Sequence, residues 1–110
     1  MPKATRLTHD ELKDIRGKRL QGALFSLLYA PLNGRPSKAA IVVSKKVSAK
    51  AVVRNTLKRR ARAALQKALP SLTQPLRLVF QAKRDAASAS GEAIARDIEA
   101  LIERASRGGR

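Results

Sequence analysis

The stretch AAIVVSKKVSAKAVVRNTLKRRARAALQKALP, residues 39–70, decides the fold. Ala39 to Ser44 is a short continuous apolar run of strand length, which reads as a strand buried on both faces or nearly so. From Val53 the period turns helical, with Leu57, Ala61, Ala64, Leu65, Ala68 and Leu69 recurring at three- and four-residue steps until Pro70 stops the pattern. Strand, loop and helix therefore follow one another within about thirty residues.

The same stretch carries an unusual charge. Ser44 to Leu65 holds eight lysines and arginines and no acid. At about 100° per residue, Arg54, Asn55, Lys58, Arg59 and Arg62 fall within an arc of roughly 140° beside the apolar stripe, with Arg60 and Lys67 on the other flank. An ordinary solvated face mixes signs, because like charges at four-residue steps repel. A row of Arg54, Lys58 and Arg62 makes sense if phosphates neutralise it, and the helix start, with Lys50 and Arg54 beside its free N–H groups, is a natural anion site. Arg60 and Lys67 read equally well as a plain solvated flank.

Outward from this unit, Thr8 and Glu11 have capping-box spacing ahead of Leu12 and Ile15, which predicts a short first helix ended at Gly17. Leu20 to Ala30 is apolar and precedes a cluster of Pro31, Asn33, Gly34 and Pro36, so one or two strands are expected there with Gly22 as a bend. Leu76 to Ala82 alternates as a half-buried strand. Ser88 to Ser90 offers a cap for a last helix whose stripe is Ile94, Ile98, Leu101, Ile102 and Ala105. The order helix, strands, helix, strand, helix predicts an α+β fold, a single two-layer sandwich of one sheet with helices packed on it.

Composition bounds the function. The chain has 110 residues and suits one domain over residues 1–110, with an ordered core of about residues 5–105. Its net charge is +16, and all eight acids lie in residues 10–14 or 85–103, leaving seventeen cations and no acid from Ile15 to Arg84. That field calls for a polyanionic partner. Cysteine is absent, which excludes disulfides and thiolate metal sites. The longest apolar run is too short to span a bilayer and the start has no apolar signal segment, so a cytoplasmic protein without a membrane partner is expected. The single histidine, His9, reads as a helix N-terminal residue, and no pairing of acids suggests a two-metal hydrolase, so no catalytic residue and no metal ligand is assigned.

These residues resemble a known family. Ser44, Lys45, Lys46, Ala51, Val52, Arg54, Asn55, Lys58 and Arg59 follow in order the signature of the bacterial ribonuclease P protein component, a strand ending in Ser-Lys-Lys and a loop leading to Ala-Val-x-Arg-Asn-Arg-x-Lys-Arg at a helix start. Arg6-Leu7, Gly17-Lys18-Arg19, Phe25 in LFSLLY and Leu78 to Arg84 also match the family's layout. Two departures stand out. Thr56 replaces the third signature cation, a loss that Arg60 or Arg62 could offset, and the first predicted helix carries Leu12 but no Phe or Trp.

The resemblance implies a left-handed βαβ crossover through the basic helix, against the usual right hand. It implies a non-catalytic protein subunit of an endoribonuclease that removes the 5′ leader from precursor tRNA. The RNA subunit would perform the hydrolysis with bound Mg²⁺, and the protein would lower the Mg²⁺ requirement as a monomer in a 1:1 complex with ribonuclease P RNA. Lys45, Lys46, Lys50, Arg54, Asn55, Lys58, Arg59 and Arg62 are the expected RNA-binding residues. Leu12, Phe25 and Tyr29 are the expected lining of a groove for the leader, although Phe25 and Tyr29 read equally as core aromatics. The competing reading is a basic ribosomal or RNA-assembly protein with no part in tRNA processing.

Overall fold

A computed structural model describes residues 17–31, 37–72 and 75–107. Four strands form one sheet: β1 (Lys18–Gln21), β2 (Phe25–Pro31), β3 (Lys38–Val42) and β4 (Leu76–Ala82). Their order across the sheet is β1-β2-β4-β3. β1 and β2 pair antiparallel, as do β2 and β4, whereas β3 runs parallel to β4. Helix α1 (Ala51–Ala68) makes the crossover between the parallel strands, and α2 (Gly91–Ser106) closes the chain order. The α+β reading therefore holds, with the first predicted helix, Leu12 included, outside the described residues.

Strand periodicity sorts the sheet into two faces. Phe25, Leu27 and Tyr29 of β2, Leu76, Leu78 and Phe80 of β4, Ala39 and Ile41 of β3 and Leu20 of β1 are buried in one core with Leu57, Ala61 and Leu65 of α1 and Ile94, Ile98 and Leu101 of α2. Phe25 and Phe80 meet edge to face, with ring centroids 6.4 Å apart and planes at 87°. Such a pair adds about 1 kcal/mol to the area the rings bury.

Phe25 and Tyr29 do share a face, but it is the helix-packed one: they are 0% and 5% exposed. The expected leader groove at these rings is thus corrected. With only three aromatics in the chain, the fold spends its rings on the core, where each removes the most apolar surface from water. The opposite face of the sheet carries Arg19, Ser26, Leu28, Gln81 and Val79, brought together by the pairs Arg19–Leu28, Ser26–Gln81 and Leu28–Val79.

Local signals place the helix ends. The α1 pattern stops at Ala68, after which Leu69–Ser71 tightens into a 3-10 turn containing Pro70. Ser90 caps α2, its hydroxyl oxygen accepting from the Ala93 N–H at 3.1 Å. The pairs Glu92–Arg96 and Glu103–Arg107 form as their spacing predicts, exposed and worth a few tenths of a kcal/mol each, roughly.

The turn between β1 and β2 is held from a distance. One carboxylate, Asp97 on α2, accepts from three successive backbone N–H groups: Ala23 at 2.9 Å, Leu24 at 3.1 Å and Phe25 at 2.9 Å. Lys83 donates to the Gly22 carbonyl at 2.6 Å and Arg104 to that of Gln21 at 2.9 Å. Gly22 is required because a Cβ there would stand 2.7 Å from the Asp97 carboxylate and 2.9 Å from the Phe25 carbonyl.

Removing this acceptor orphans three donors at once. Asp97→Ala is expected to cost about 2–3 kcal/mol, the range for hydrogen bonds to a charged group, read as a lowered midpoint in thermal unfolding. Gly22→Ala should lower it as well, because the added methyl group drives the carboxylate off the turn.

Candidate nucleic-acid interface

Parallel pairing of β3 with β4 builds the site. Because both strands end at the same edge of the sheet, Val42 beside Gln81, the residues that follow them emerge together: Ser44, Lys45 and Lys46 after β3, Lys83 and Arg84 after β4. The start of α1 lies at this edge too, since a short loop connects it to β3. In parallel sheets this C-terminal edge is where anionic ligands bind.

Each cation is positioned by a local device. Ser44 to Val47 forms a turn in which the Val47 N–H donates to the Ser44 carbonyl at 3.1 Å, so Lys45 and Lys46 occupy its exposed central positions. Val47 is drawn against the core behind them. The Lys50 N–H donates to the Ser48 hydroxyl oxygen at 3.2 Å, shaping the entry to α1. That helix has no side-chain cap and no acid in its first turn, so its leading N–H groups keep their full positive end.

Arg54 does more than present charge. It donates to the carbonyls of Ser48 at 2.8 Å and Ala49 at 3.0 Å, tying the helix to the loop it leaves. Asn55 and Arg59 are exposed, whereas Arg54, Lys58 and Arg62 are half-buried beside the core stripe of Leu57, Ala61 and Leu65. Their stems lie along apolar surface, with the charges of Lys58 and Arg62 free to reach outward. All eight expected RNA-binding residues lie on the edge turn, the loop or one flank of α1.

Thr56 is explained by its own geometry. Its hydroxyl donates to the Val52 carbonyl one turn back at 2.9 Å, a satisfied bond within the helix. On the helical wheel it stands away from the Arg54–Arg62 band and on the flank of Arg60, so Arg60, not Arg62, is the cation that shares its side.

Sequence reasoning missed Arg84 as part of this edge. Arg84 begins a 3-10 segment, Arg84–Ser88, and is exposed. Its proximity to the Ser-Lys-Lys turn follows from the β3–β4 register, which no local pattern encodes.

Comparison with known proteins gives this geometry a lineage. The family model described as Ribonuclease P matches residues 1–106. The chain belongs to the Ribonuclease P family. It is 34% identical over 105 residues to the ribonuclease P protein component of Picosynechococcus sp., covering 93% of this chain and 90% of that protein. It is also 34% identical over 95 residues to that of Desulfatibacillum aliphaticivorans, covering 86% and 80%. The ribonuclease P protein from Thermotoga maritima superposes with a TM-score of 0.77 at 25% identity, over 90% of this chain and 96% of that one. That from Staphylococcus aureus reaches 0.80 at 23% identity, over 94% and 96%. Membership of the Ribonuclease P family makes the chain a subunit of an endoribonuclease that processes tRNA, partnered with ribonuclease P RNA.

Three outcomes check the interface. Lys58→Ala with Arg62→Ala should weaken binding to ribonuclease P RNA at least tenfold, measured by filter retention, with an unchanged melting midpoint. Arg54→Ala should lower both, because it removes a phosphate ligand and the anchor of the Ser48–Lys50 loop. Sulfate should raise the midpoint of the intact protein, since bound anions relieve the like-charge crowding and stabilise the folded state by mass action.

Proposed function

We propose that the edge formed by Lys45, Lys46, Lys50, Arg54, Asn55, Lys58, Arg59 and Arg62 binds the backbone of ribonuclease P RNA, and that the opposite sheet face receives the single-stranded 5′ leader of precursor tRNA. The observation that carries this reading is the gathering of a Lys-Lys turn, an uncapped helix start and one cationic helix flank at a single sheet edge. Arginine offers phosphate two parallel donors, lysine a mobile point charge, and Asn55 a donor and an acceptor suited to a 2′-hydroxyl.

The leader face takes a different lining from the one expected. Leu28, half-buried, supplies apolar surface, and exposed Arg19 supplies charge along one side, oriented by donation to the Gln81 side-chain oxygen at 3.2 Å and the Ser26 hydroxyl at 3.4 Å. An extended strand of RNA fits such a surface by backbone charge and base packing, without sequence readout.

Binding of this kind aids a reaction whose chemistry belongs to the RNA. Cations from the protein offset repulsion between two polyanions, ribozyme and precursor, which lowers the Mg²⁺ needed to hold them together. Mg²⁺ enters through the RNA subunit. Leader contacts favour precursor over mature tRNA, so product leaves. The working unit is one protein on one RNA in the cytoplasm.

Cleavage of precursor tRNA by a bacterial ribonuclease P RNA at low Mg²⁺, with and without this protein, tests the proposal. Stimulation should grow with leader length and fall when Arg19→Ala removes the oriented cation. With about six phosphate contacts, affinity for the RNA subunit should fall with salt at a log–log slope of roughly −4 to −5. A slope near zero, or stimulation blind to the leader, would overturn it.

A further inference from the structure

The second flank of α1 is not simply solvated. Between the first turns of α1, the Arg84–Ser88 segment and the start of α2 lies a cavity of about 170 Å³. Leu57 and Ile94 are buried at its base, Thr56 and Ala87 are half-buried on its walls, and Val52 and Arg60 stand exposed at its mouth. An apolar cavity of about 150 Å³ is enough to take a six-membered ring.

Three observations point to what fills it. Val52 is 77% exposed, the one large hydrophobic left in water among the described residues. Arg60 has neither ion pair nor hydrogen bond among the described residues, so its guanidinium is free for a ligand at the cavity mouth. No acid lines the cavity. A second groove of about 270 Å³ continues past Arg60 along the seam between α1 and α2, lined by Lys67, Gly91, Ala95 and Glu99 among others. Glu99 is the one acid lining that groove, which Arg60 and Lys67 share, whereas Arg60 alone of the two cations also lines the acid-free cavity.

The cavity is also continuous with the cationic edge. On the helical wheel Val52 falls between Arg59, in the RNA-binding band, and Thr56, on the cavity wall. A strand of RNA lying along Lys58 and Arg59 reaches Val52 without crossing acidic surface.

We propose that this cavity is a nucleotide pocket: an unpaired base of ribonuclease P RNA inserts between Val52 and Ala87 while its phosphate is bound by Arg60. The proposal rests on the RNA-binding reading above and adds to it a contact on the far side of the basic helix. Aliphatic walls pack a base of any identity, and Thr56, whose hydrogen is committed to Val52, keeps an oxygen that can accept from a base amino group. Thr56 at this position leaves room that a longer cationic side chain would fill.

The absence of cysteine makes the test direct. Single cysteines replacing Val52, Ala87, Arg59 or Ala100 would each carry an aryl-azide photocrosslinker in complexes of the full-length protein with a bacterial ribonuclease P RNA. Ala100 is exposed on the opposite face of α2 and serves as the negative control, and Arg59, within the RNA-binding band, as the positive one. Attachment at Val52 and Ala87 to the same short segment of RNA is expected. Val52→Asp, at an exposed position where folding is not at stake, and Ala87→Leu, which fills the cavity, should each weaken RNA binding about five- to tenfold, the low end for packing one base.

If Arg59 crosslinks to RNA while Val52 and Ala87 do no better than Ala100, or if both substitutions leave affinity unchanged, the pocket is refuted and the cationic edge stands. If no position crosslinks to RNA, the RNA-binding reading itself fails. Crosslinks from Val52 to a second copy of the protein would make this a self-association surface and refute the pocket.

Discussion

Everything functional in this molecule depends on β3 and β4 being parallel neighbours. Parallel strands must be joined by a crossover, and here the crossover is the basic helix itself. The arrangement brings two strand exits and a helix start to one edge, so charges distant in sequence share one field. Antiparallel pairing would have sent the residues after β4 to the far end of the sheet and split the cationic surface. The stretch from Ile15 to Arg84 adds no acid to this field, so the carboxylates near the edge come from beyond it: Asp85, next to Arg84, and Asp97, which is committed to the β1–β2 turn.

The protein accepts local repulsion to keep that field. An uncapped helix with no first-turn acid forgoes roughly 1 kcal/mol or more of ordinary stabilisation. Compensation comes from below, where Leu57, Ala61 and Leu65 are fully packed, and from the loop, where Arg54 spends its own donors on two carbonyls. Core packing and cationic display are thus divided between the two sides of one helix, and Arg54, tied to the loop, belongs to both.

Much of this was legible in the residues. The helical stripe from Leu57 to Ala68, the strand at Leu76–Ala82 and the serine cap before α2 follow from periods and capping chemistry that act within a few residues. The cations of the Ser-Lys-Lys turn and of α1 stood out because their spacing resembles a family signature. What sequence could not give was which face of a strand meets the helices: alternation groups Phe25 with Tyr29, yet says nothing of the side they take. The expectation that Phe25 and Tyr29 line an open groove failed for that reason. Arg84 and the cavity beneath Val52 depend on strand register and on the approach of α2, both products of long-range packing.

The Asp97 clamp bears on how the chain is made. The turn that opens the sheet is completed by a carboxylate more than seventy residues downstream, and the central pair β2 and β4 also waits for distant sequence. Contacts of such separation form late and slowly. During synthesis the early hairpin emerges with its acceptor not yet translated. The hairpin that opens the sheet thus gains its last hydrogen bonds only when α2, near the end of the described residues, has been made.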